Sequence, residues 1–104
     1  MQDPKAQVEL IRAHVFISGR VQGVGYRYAV VDTASQLGLT GWVRNLPDNR
    51  VEAVFEGARS PVEDMVRWCN AGPPAAVVKD IVVEYEAPEG LRGFEVRRFS
   101  FGEE

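Results

Sequence analysis

The order in which strand-like and helix-like spacings of apolar residues follow one another constrains the fold of this chain most strongly. Residues 11–18 have the β-branched and aromatic content of a strand, whereas residues 24–37 place apolar side chains three or four apart, as an amphipathic helix does. In residues 50–57 apolar side chains alternate with Glu52 and Glu56, which predicts a strand with one buried and one wet face. Further strands are predicted at residues 40–46, 77–85 and 94–99, and a second helix between residues 60 and 72.

This order, β-α-β-β-α-β-β, is compatible with few folds. Because crossover connections are right-handed, both helices are expected on the same face of one sheet. The pattern predicts a ferredoxin-like α/β sandwich of the α+β class, with two helices on one face of a mostly antiparallel sheet. The first two strands are joined through a helix and run in the same direction, so their C-terminal ends are expected at one edge.

Local signals predict where the helices begin and end. Gly38 is placed as the C-terminal stop of the first helix. Ser60 is the expected N-cap of the second helix, with Pro61 at the first helical position and Glu63 completing a capping box. Gly72, followed by two prolines, is expected to end that helix.

The length of 104 residues fits one domain, which we place at residues 11–101 after a loose lead-in at residues 1–10. No apolar run approaches the roughly 20 residues that a membrane helix requires. The first residues also lack the apolar segment of a signal peptide. The prediction is a cytoplasmic protein that does not bind membranes.

Charge and composition exclude several classes of site. The formal net charge of −3 argues against broad binding to nucleic acid, although a local positive pocket could still hold a small anion. Cys69 is the only cysteine and His14 the only histidine, which excludes an intramolecular disulfide and multi-histidine metal sites. Both are predicted to be structural, and Arg44, Arg97 and Arg98 are predicted to be solvated strand positions.

The segment GRVQGVG, residues 19–25, lies between the first strand and the first helix. Its glycines allow successive backbone N–H groups to turn toward an anion, and the helix dipole favours negative charge there. The P-loop pattern fails, because Gly25 is followed by Tyr26 and Arg27, and a dinucleotide fingerprint fails at Tyr28. Arg27 lies off the apolar stripe and opposes the helix dipole, which makes most sense if it binds an anion together with the loop amides.

The stretch SGRVQGVGYR, residues 18–27, resembles the phosphate-binding signature of the acylphosphatase family. The segment GWVRN at residues 41–45, followed by Val51 and Gly57, is similar to a second signature of that family. The resemblance extends over residues 15–99 and therefore covers nearly the whole chain. The family fold is the same ferredoxin-like sandwich.

Asn49 is a visible departure from the family pattern, which commonly has glycine at this place in the turn between the second and third strands. Asparagine tolerates the left-handed conformation better than most residues do. We therefore expect the hairpin to keep its geometry.

The resemblance implies a metal-independent hydrolase without a cofactor. Its partner would be a small acyl phosphate, cleaved at the carboxyl–phosphate bond to a carboxylate and inorganic phosphate, and the enzyme would be a monomer. The catalytic residues implied are Arg27, which binds the phosphoryl group, and Asn45, which orients the attacking water. The implied phosphate-binding set is Arg27 together with residues that act through their backbone amides: Arg20, Val21, Gln22, Gly23 and Val24.

Two alternatives stay open at this point. The first is a non-catalytic module that binds a small anion or RNA on the same fold. An RNA-binding sheet needs exposed aromatic side chains with basic neighbours, and the third strand instead offers Glu52, Val54 and Glu56 on that face. The second is an acylphosphatase-like domain of a larger enzyme, although the length of the chain favours a free-standing one.

Overall fold

The computed structural model describes residues 8–99, and within them the predicted order of elements is confirmed. The elements are β1 (Leu10–Arg20), α1 (Tyr26–Gln36), β2 (Thr40–Asn45), β3 (Val51–Ala58), α2 (Arg59–Ala71), β4 (Val77–Glu86) and β5 (Phe94–Val96). Most of the predicted lead-in, residues 1–7, lies outside the described residues, as do residues 100 and 101 of the predicted domain. Leu10, which the prediction assigned to the lead-in, is the first residue of β1.

The strands form one sheet in the order β4-β1-β3-β2-β5. β1 pairs antiparallel with β3 and β4, β2 pairs antiparallel with β3, and β5 lies parallel to β2. Helix α1 packs near β2 and β5, and α2 packs near β1, β3 and β4. This is the predicted ferredoxin-like α+β sandwich with a fifth strand.

The core lies between the helices and one face of the sheet. Both predicted helical stripes are buried there, because apolar residues spaced three or four apart lie on a single helix face. Alternate residues of the strands meet them, since successive strand side chains point to opposite faces. The buried set includes Tyr26, Val30, Ala34, Val62, Met65, Cys69, Ala13, Val15, Ile17, Val43, Val51, Ala53 and Phe55.

The helix ends match the prediction at the C-termini but not at the start of α2. Helix α1 ends just before Gly38, which is left-handed at φ 72°, and Gly72 follows the last residue of α2. The predicted capping box at Ser60 and Glu63 is wrong, because α2 begins at Arg59 and no side chain caps it. β3 runs directly into α2 without a loop, so Ser60 already lies in the first turn.

We call the side of the sheet that carries no helix the outer face. On its central strand, β3, the prediction of a wet face is also wrong: Glu52, Val54 and Glu56 are 5%, 0% and 4% exposed. β3 has a neighbouring strand on each side, and the long side chains of those strands cover it. The cross-strand partners on this face are Arg12, His14 and Phe16 of β1 and Thr40, Trp42 and Arg44 of β2.

The turn between β2 and β3 forms as expected despite the missing glycine. Asn49 has φ 76° and is the one non-glycine residue with positive φ in the described part of the chain. The Asn49 amide donates to the carbonyl of Leu46 at 3.2 Å, and the Leu46 amide donates to the carbonyl of Arg50 at 2.8 Å. Asparagine is a residue type that adopts this conformation without a large penalty.

Candidate active site

Three strands bring their C-terminal ends to the same edge of the sheet. β1 and β2 both run antiparallel to β3, and Ile17 of β1 and Asn45 of β2 both pair with Val51. β5 is parallel to β2, so the residues that follow it also lie at this edge. The predicted convergence of the glycine segment and Asn45 is therefore confirmed by the strand register.

The segment that joins β1 to α1 leaves its backbone N–H groups unused. A β-bulge at Ser18 and Gly19 redirects the end of β1; Gly19 has φ 128°, and a Cβ there would lie 2.2 Å from the carbonyl oxygen of Val77. Gly25, left-handed at φ 79°, is the N-cap of α1 and supplies no side chain to it. Within residues 8–99, the N–H groups of residues 21–28 donate to no protein acceptor. Such a run of free amides at a helix N-terminus is suited to an anion.

Arg27 is the second residue of α1 and is partly buried. Its guanidinium has no ion pair and no hydrogen bond to any residue between 8 and 99. This position repels cations through the helix dipole, and no carboxylate of the described chain compensates the charge. An anionic ligand would offset the repulsion by the helix dipole and would also compensate the charge of the guanidinium.

Asn45, the last residue of β2, has an unusual amide. Its Oδ1 atom is buried and accepts no hydrogen bond, and it is the one such side-chain atom among the described residues. Buried polar atoms are paired in the great majority of cases, so an unpaired acceptor calls for an explanation. The pairing of Asn45 with Val51 of β3 holds its backbone at this edge of the sheet.

Gln22 joins the glycine segment to the β2–β3 turn. Its Nε2 donates to the carbonyl oxygens of Leu46 and Arg50, each at 2.9 Å. The prediction gave Gln22 a backbone role only, and the structure adds this side-chain link. Because Leu46 follows Asn45 directly, the link fixes the segment relative to Asn45.

Tyr26 holds the start of α1 in place. Its ring is 1% exposed, and its hydroxyl donates to the carbonyl oxygen of Cys69 in α2 at 2.7 Å. Burial raises the pKa of Tyr26, so the hydroxyl remains a hydrogen-bond donor at all physiological pH values. Arg27 follows immediately and therefore starts from a rigid backbone.

A pocket of about 360 Å³ lies at this edge of the sheet. It brings together Arg27 and Asn45, and the residues that line it are Arg27, Asn45, Leu46, Pro47, Arg97, Arg98 and Phe99. Among these lining residues there are three arginines and no carboxylate. The pocket is therefore positive although the chain as a whole is acidic.

The other predicted phosphate-binding residues do not line this pocket. The side chain of Val21 is 1% exposed and belongs to the core, and Val24 packs against the core. Arg20 and Gly23 are exposed. Residues 20–24 do not line the cavity, and their role toward a ligand through backbone amides stays a prediction.

A group with metal-ligand chemistry exists on the outer face, away from the pocket. Ligand atoms of His14, Glu84 and Glu86 lie within 4.8 Å of one another. Both ring nitrogens of His14 already face carboxylates: Nε2 lies 2.6 Å from Glu52 and Nδ1 lies 2.9 Å from Glu86. Both nitrogens can donate only when the ring is protonated, which the two carboxylates favour.

The cations of the outer face are paired with carboxylates. Arg12 donates to Glu56 at 2.7 Å and to Glu86 at 2.9 Å, and Arg44, predicted to be solvated, donates to Glu52 at 2.7 Å. Partial burial opposes the charge of His14, but its hydrogen bonds to two carboxylates outweigh burial and raise the pKa of the ring. This face therefore offers little free positive charge to RNA.

The chain is similar to known proteins over most of its length. The family model described as Acylphosphatase matches residues 13–96. An acylphosphatase from Nostoc sp. is 78% identical over 98 residues, covering 94% of this chain and 97% of the relative. An acylphosphatase structure from Coxiella burnetii superimposes with a TM-score of 0.83 at 39% identity, covering 88% of this chain and 98% of that one.

A second solved structure, the acylphosphatase from Bacillus subtilis, gives a TM-score of 0.82 at 36% identity over 84% of this chain and 98% of that one. The sequence signatures, the sandwich fold and these relatives agree over nearly the whole described chain. The chain therefore belongs to the acylphosphatase family.

Proposed function

We propose that this protein hydrolyses acyl phosphates to a carboxylate and inorganic phosphate by in-line attack of water. The observation that carries the proposal is the presence, in one positive pocket, of an arginine without an ionic partner among residues 8–99 and an asparagine with a buried, unpaired oxygen. The first group suits a phosphoryl anion and the second suits a water molecule. Membership of the acylphosphatase family supports the same reaction.

Arg27 and the free amides at the start of α1 bind the phosphoryl group. Phosphoryl transfer passes through a loose transition state whose charge is spread over three equatorial oxygens. A guanidinium offers two parallel N–H donors to such oxygens, and the backbone N–H groups of residues 21–28 provide further donors in a fixed arrangement. Because β1, Gln22 and Tyr26 hold this segment, little reorganisation is needed when charge develops.

Asn45 orients the nucleophile. Its buried Oδ1 accepts a hydrogen bond from the attacking water and directs the oxygen lone pair toward phosphorus. An amide is too weak a base to remove the proton completely. The proton therefore passes to a phosphate oxygen as the bond to phosphorus forms.

The leaving group needs no help from an acid. It is a carboxylate, whose conjugate acid has a pKa of about 4, so it leaves in its stable ionised form at neutral pH. No carboxylate lines the pocket among the described residues, so no like charge opposes the departing anion. This chemistry requires neither a covalent intermediate nor a bound metal.

We further propose that the substrate is a small molecule, with no nucleic acid or membrane partner, and that the enzyme acts as a monomer in the cytoplasm. The pairing of the outer-face cations with carboxylates supports the exclusion of nucleic acid. Within residues 8–99, neither helix has the length and apolar character needed to cross a bilayer. The single free, buried thiol of Cys69 is compatible with a reducing compartment.

The proposal is tested by an assay of the purified protein with benzoyl phosphate in the presence of a metal chelator. We expect release of benzoate and inorganic phosphate at an undiminished rate with and without chelator. In ¹⁸O-labelled water the label should appear in phosphate and not in benzoate, because water attacks phosphorus. Absence of hydrolysis, loss of activity on chelation, or label in benzoate would each contradict the mechanism.

A further inference from the structure

We infer that Arg98 supplies a second guanidinium to the phosphoryl group, an inference that rests on the proposed function. Arg98 follows β5 and was predicted from the sequence to be a solvated strand position. The structure places it in the same pocket as Arg27 and Asn45. Three observations indicate that Arg98 contacts the ligand. They are its register beside Asn45, its position on the helix side of the sheet, and the pairing of the neighbouring Arg97 with a carboxylate.

The register of β5 beside β2 brings Arg98 next to Asn45. The two strands are parallel, and Val43 of β2 pairs with Val96 of β5. The backbone continues alongside β2 after the strand ends, since the amide of Arg97 donates to the carbonyl of Val43 at 2.8 Å. Asn45 and Arg98 each lie two residues after the Val43–Val96 pair, and they are therefore neighbours on adjacent segments of the sheet.

The alternation of side chains places Arg98 on the helix side of the sheet. The Arg97 guanidinium lies 4.9 Å from the centre of the Trp42 ring, and the Arg44 guanidinium lies 5.2 Å from the Phe99 ring, so residues 97 and 99 both contact the outer face. In an extended chain the residue between them points to the opposite side. That side carries α1, which packs near β5 and begins with Tyr26 and Arg27.

Arg97 has a carboxylate partner and an aromatic partner, whereas Arg98 has no charged partner among residues 8–99. Arg97 donates to Glu95 at 3.1 Å and stacks on Trp42, so its charge is already compensated. Arg98 has no ion pair and no hydrogen bond to any residue from 8 to 99. Two guanidinium groups without a charged partner among residues 8–99, those of Arg27 and Arg98, thus line a pocket whose described lining contains no carboxylate.

This arrangement fits a phosphoryl dianion better than a single arginine would. Two guanidinium groups repel each other when the pocket is empty, and this repulsion is relieved when an anion with several oxygens lies between them. Since Arg98 stands beside Asn45, it can reach an equatorial oxygen from the side on which the water attacks. Arg98 therefore stabilises the charge that develops on the phosphoryl group.

The test is the binding of inorganic phosphate to the Arg98→Gln variant, measured by titration calorimetry at constant ionic strength, together with benzoyl phosphate kinetics. A charge-assisted hydrogen bond typically contributes enough for phosphate binding to weaken roughly 10- to 100-fold, and kcat/KM should fall by a similar factor. Arg98→Lys should recover part of the loss, because lysine restores the charge but not the planar fork.

Matched controls separate the pocket from general charge effects. Arg59→Gln and Arg92→Gln each remove an exposed arginine that does not line the pocket. Both should bind phosphate within about twofold of the wild type, since neither guanidinium is assigned to the ligand. Phosphate binding by Arg98→Gln equal to that of these controls would overturn the inference, even if turnover of another acyl phosphate changed.

Failure of this inference is distinguishable from failure of the proposed function. If the wild type hydrolyses benzoyl phosphate and Arg98→Gln does so equally well with unchanged phosphate affinity, only the role of Arg98 is refuted. If the wild type hydrolyses nothing but binds phosphate through Arg98, the proposed reaction is refuted and the binding role stands. If the wild type binds no phosphate, both are refuted.

Discussion

The outer face and the pocket use the same residue type in opposite ways. On the outer face, Arg12 is 6% exposed and is enclosed by carboxylates of Glu56, Glu86 and Glu89 at 2.7, 2.9 and 3.6 Å. In the pocket, Arg27 has no carboxylate partner within the described chain. The first arginine is satisfied by the protein itself, whereas the second is, in the proposed function, available to the phosphoryl group.

Burial and pairing explain why both arrangements are tolerated. A buried charge is stable only when it is paired and hydrogen-bonded, and Glu56 receives, besides Arg12, three backbone N–H groups from residues 89–91. Burial opposes the charge of Glu56, but these hydrogen bonds outweigh burial and lower its pKa. Arg27 remains partly exposed, so water can solvate it until substrate binds. Substitutions should therefore affect folding in one region and chemistry in the other.

The largest effect is expected for Arg27→Ala. The loss of its guanidinium should reduce kcat/KM for benzoyl phosphate by about 10⁴-fold, roughly 5 kcal/mol of transition-state stabilisation. Phosphate should no longer inhibit at concentrations that inhibit the wild type. Because the Arg27 side chain has no protein partner within residues 8–99, the urea midpoint should stay close to that of the wild type. A variant that lost activity only through unfolding would contradict a role of Arg27 in chemistry rather than in folding.

Arg12→Leu should show the reverse behaviour. It leaves the buried carboxylate of Glu56 without its cation, which should cost about 3–5 kcal/mol in the free energy of unfolding measured by urea titration. Folded protein at low temperature should retain kcat/KM, since Arg12 does not line the pocket. Arg59→Ala, which breaks an exposed ion pair with Glu9, is the control and should shift the urea midpoint far less.

Asn45→Ala should separate binding from turnover inside the pocket. Loss of the group that orients water should lower kcat by about 10²-fold, comparable to the removal of a single catalytic hydrogen-bonding group. The affinity for inorganic phosphate, measured by titration calorimetry, should change little, because Arg27 and the loop amides remain. A parallel loss of phosphate affinity would show that Asn45 contacts the phosphoryl group rather than the water.

The smallest effect is expected for His14→Gln, and it should depend on pH. Burial opposes the charge of the ring, but hydrogen bonds to Glu52 and Glu86, with Glu84 nearby, outweigh it, so the folded pKa of His14 lies above the unfolded value of about 6.5. Its contribution to stability is therefore complete below about pH 6.5 and is lost as the pH rises through the folded pKa. Urea unfolding of wild type and variant should differ more at pH 6 than at pH 9, and a gap that widens with pH would refute this assignment.

Local patterns were sufficient to predict most of the fold. The helical stripes, the Gly38 and Gly72 stops and the left-handed Asn49 all depend on residues close together in the chain, and the structure confirms them. The prediction of a capping box at Ser60 was wrong because β3 continues directly into α2, so the helix begins before Ser60. Cap motifs describe a helix that starts from a loop, and here no loop exists.

The candidate site was predictable only in part for a related reason. Arg27 is conspicuous in the sequence because it opposes the helix dipole, and Asn45 because it belongs to the segment that resembles the second acylphosphatase signature. The link from Gln22 to the β2–β3 turn and the place of Arg98 beside Asn45 depend on strand pairings between distant segments. The spacing of residues along the chain predicts neither the Gln22 link nor the position of Arg98.

The sequence by itself therefore determined the order of elements, the buried faces of the two helices and the conformation of the β2–β3 turn, because hydrophobic period and backbone preference act over a few residues. Only the tertiary structure decided which charges are cancelled. Glu52 and Glu56 became buried partners of Arg12, His14 and Arg44 through the neighbours that the sheet order assigns to β3. Whether an arginine is structural or available to a ligand depends on which carboxylates lie close to it in the folded chain. Those neighbours are set by contacts between segments that are far apart in the sequence.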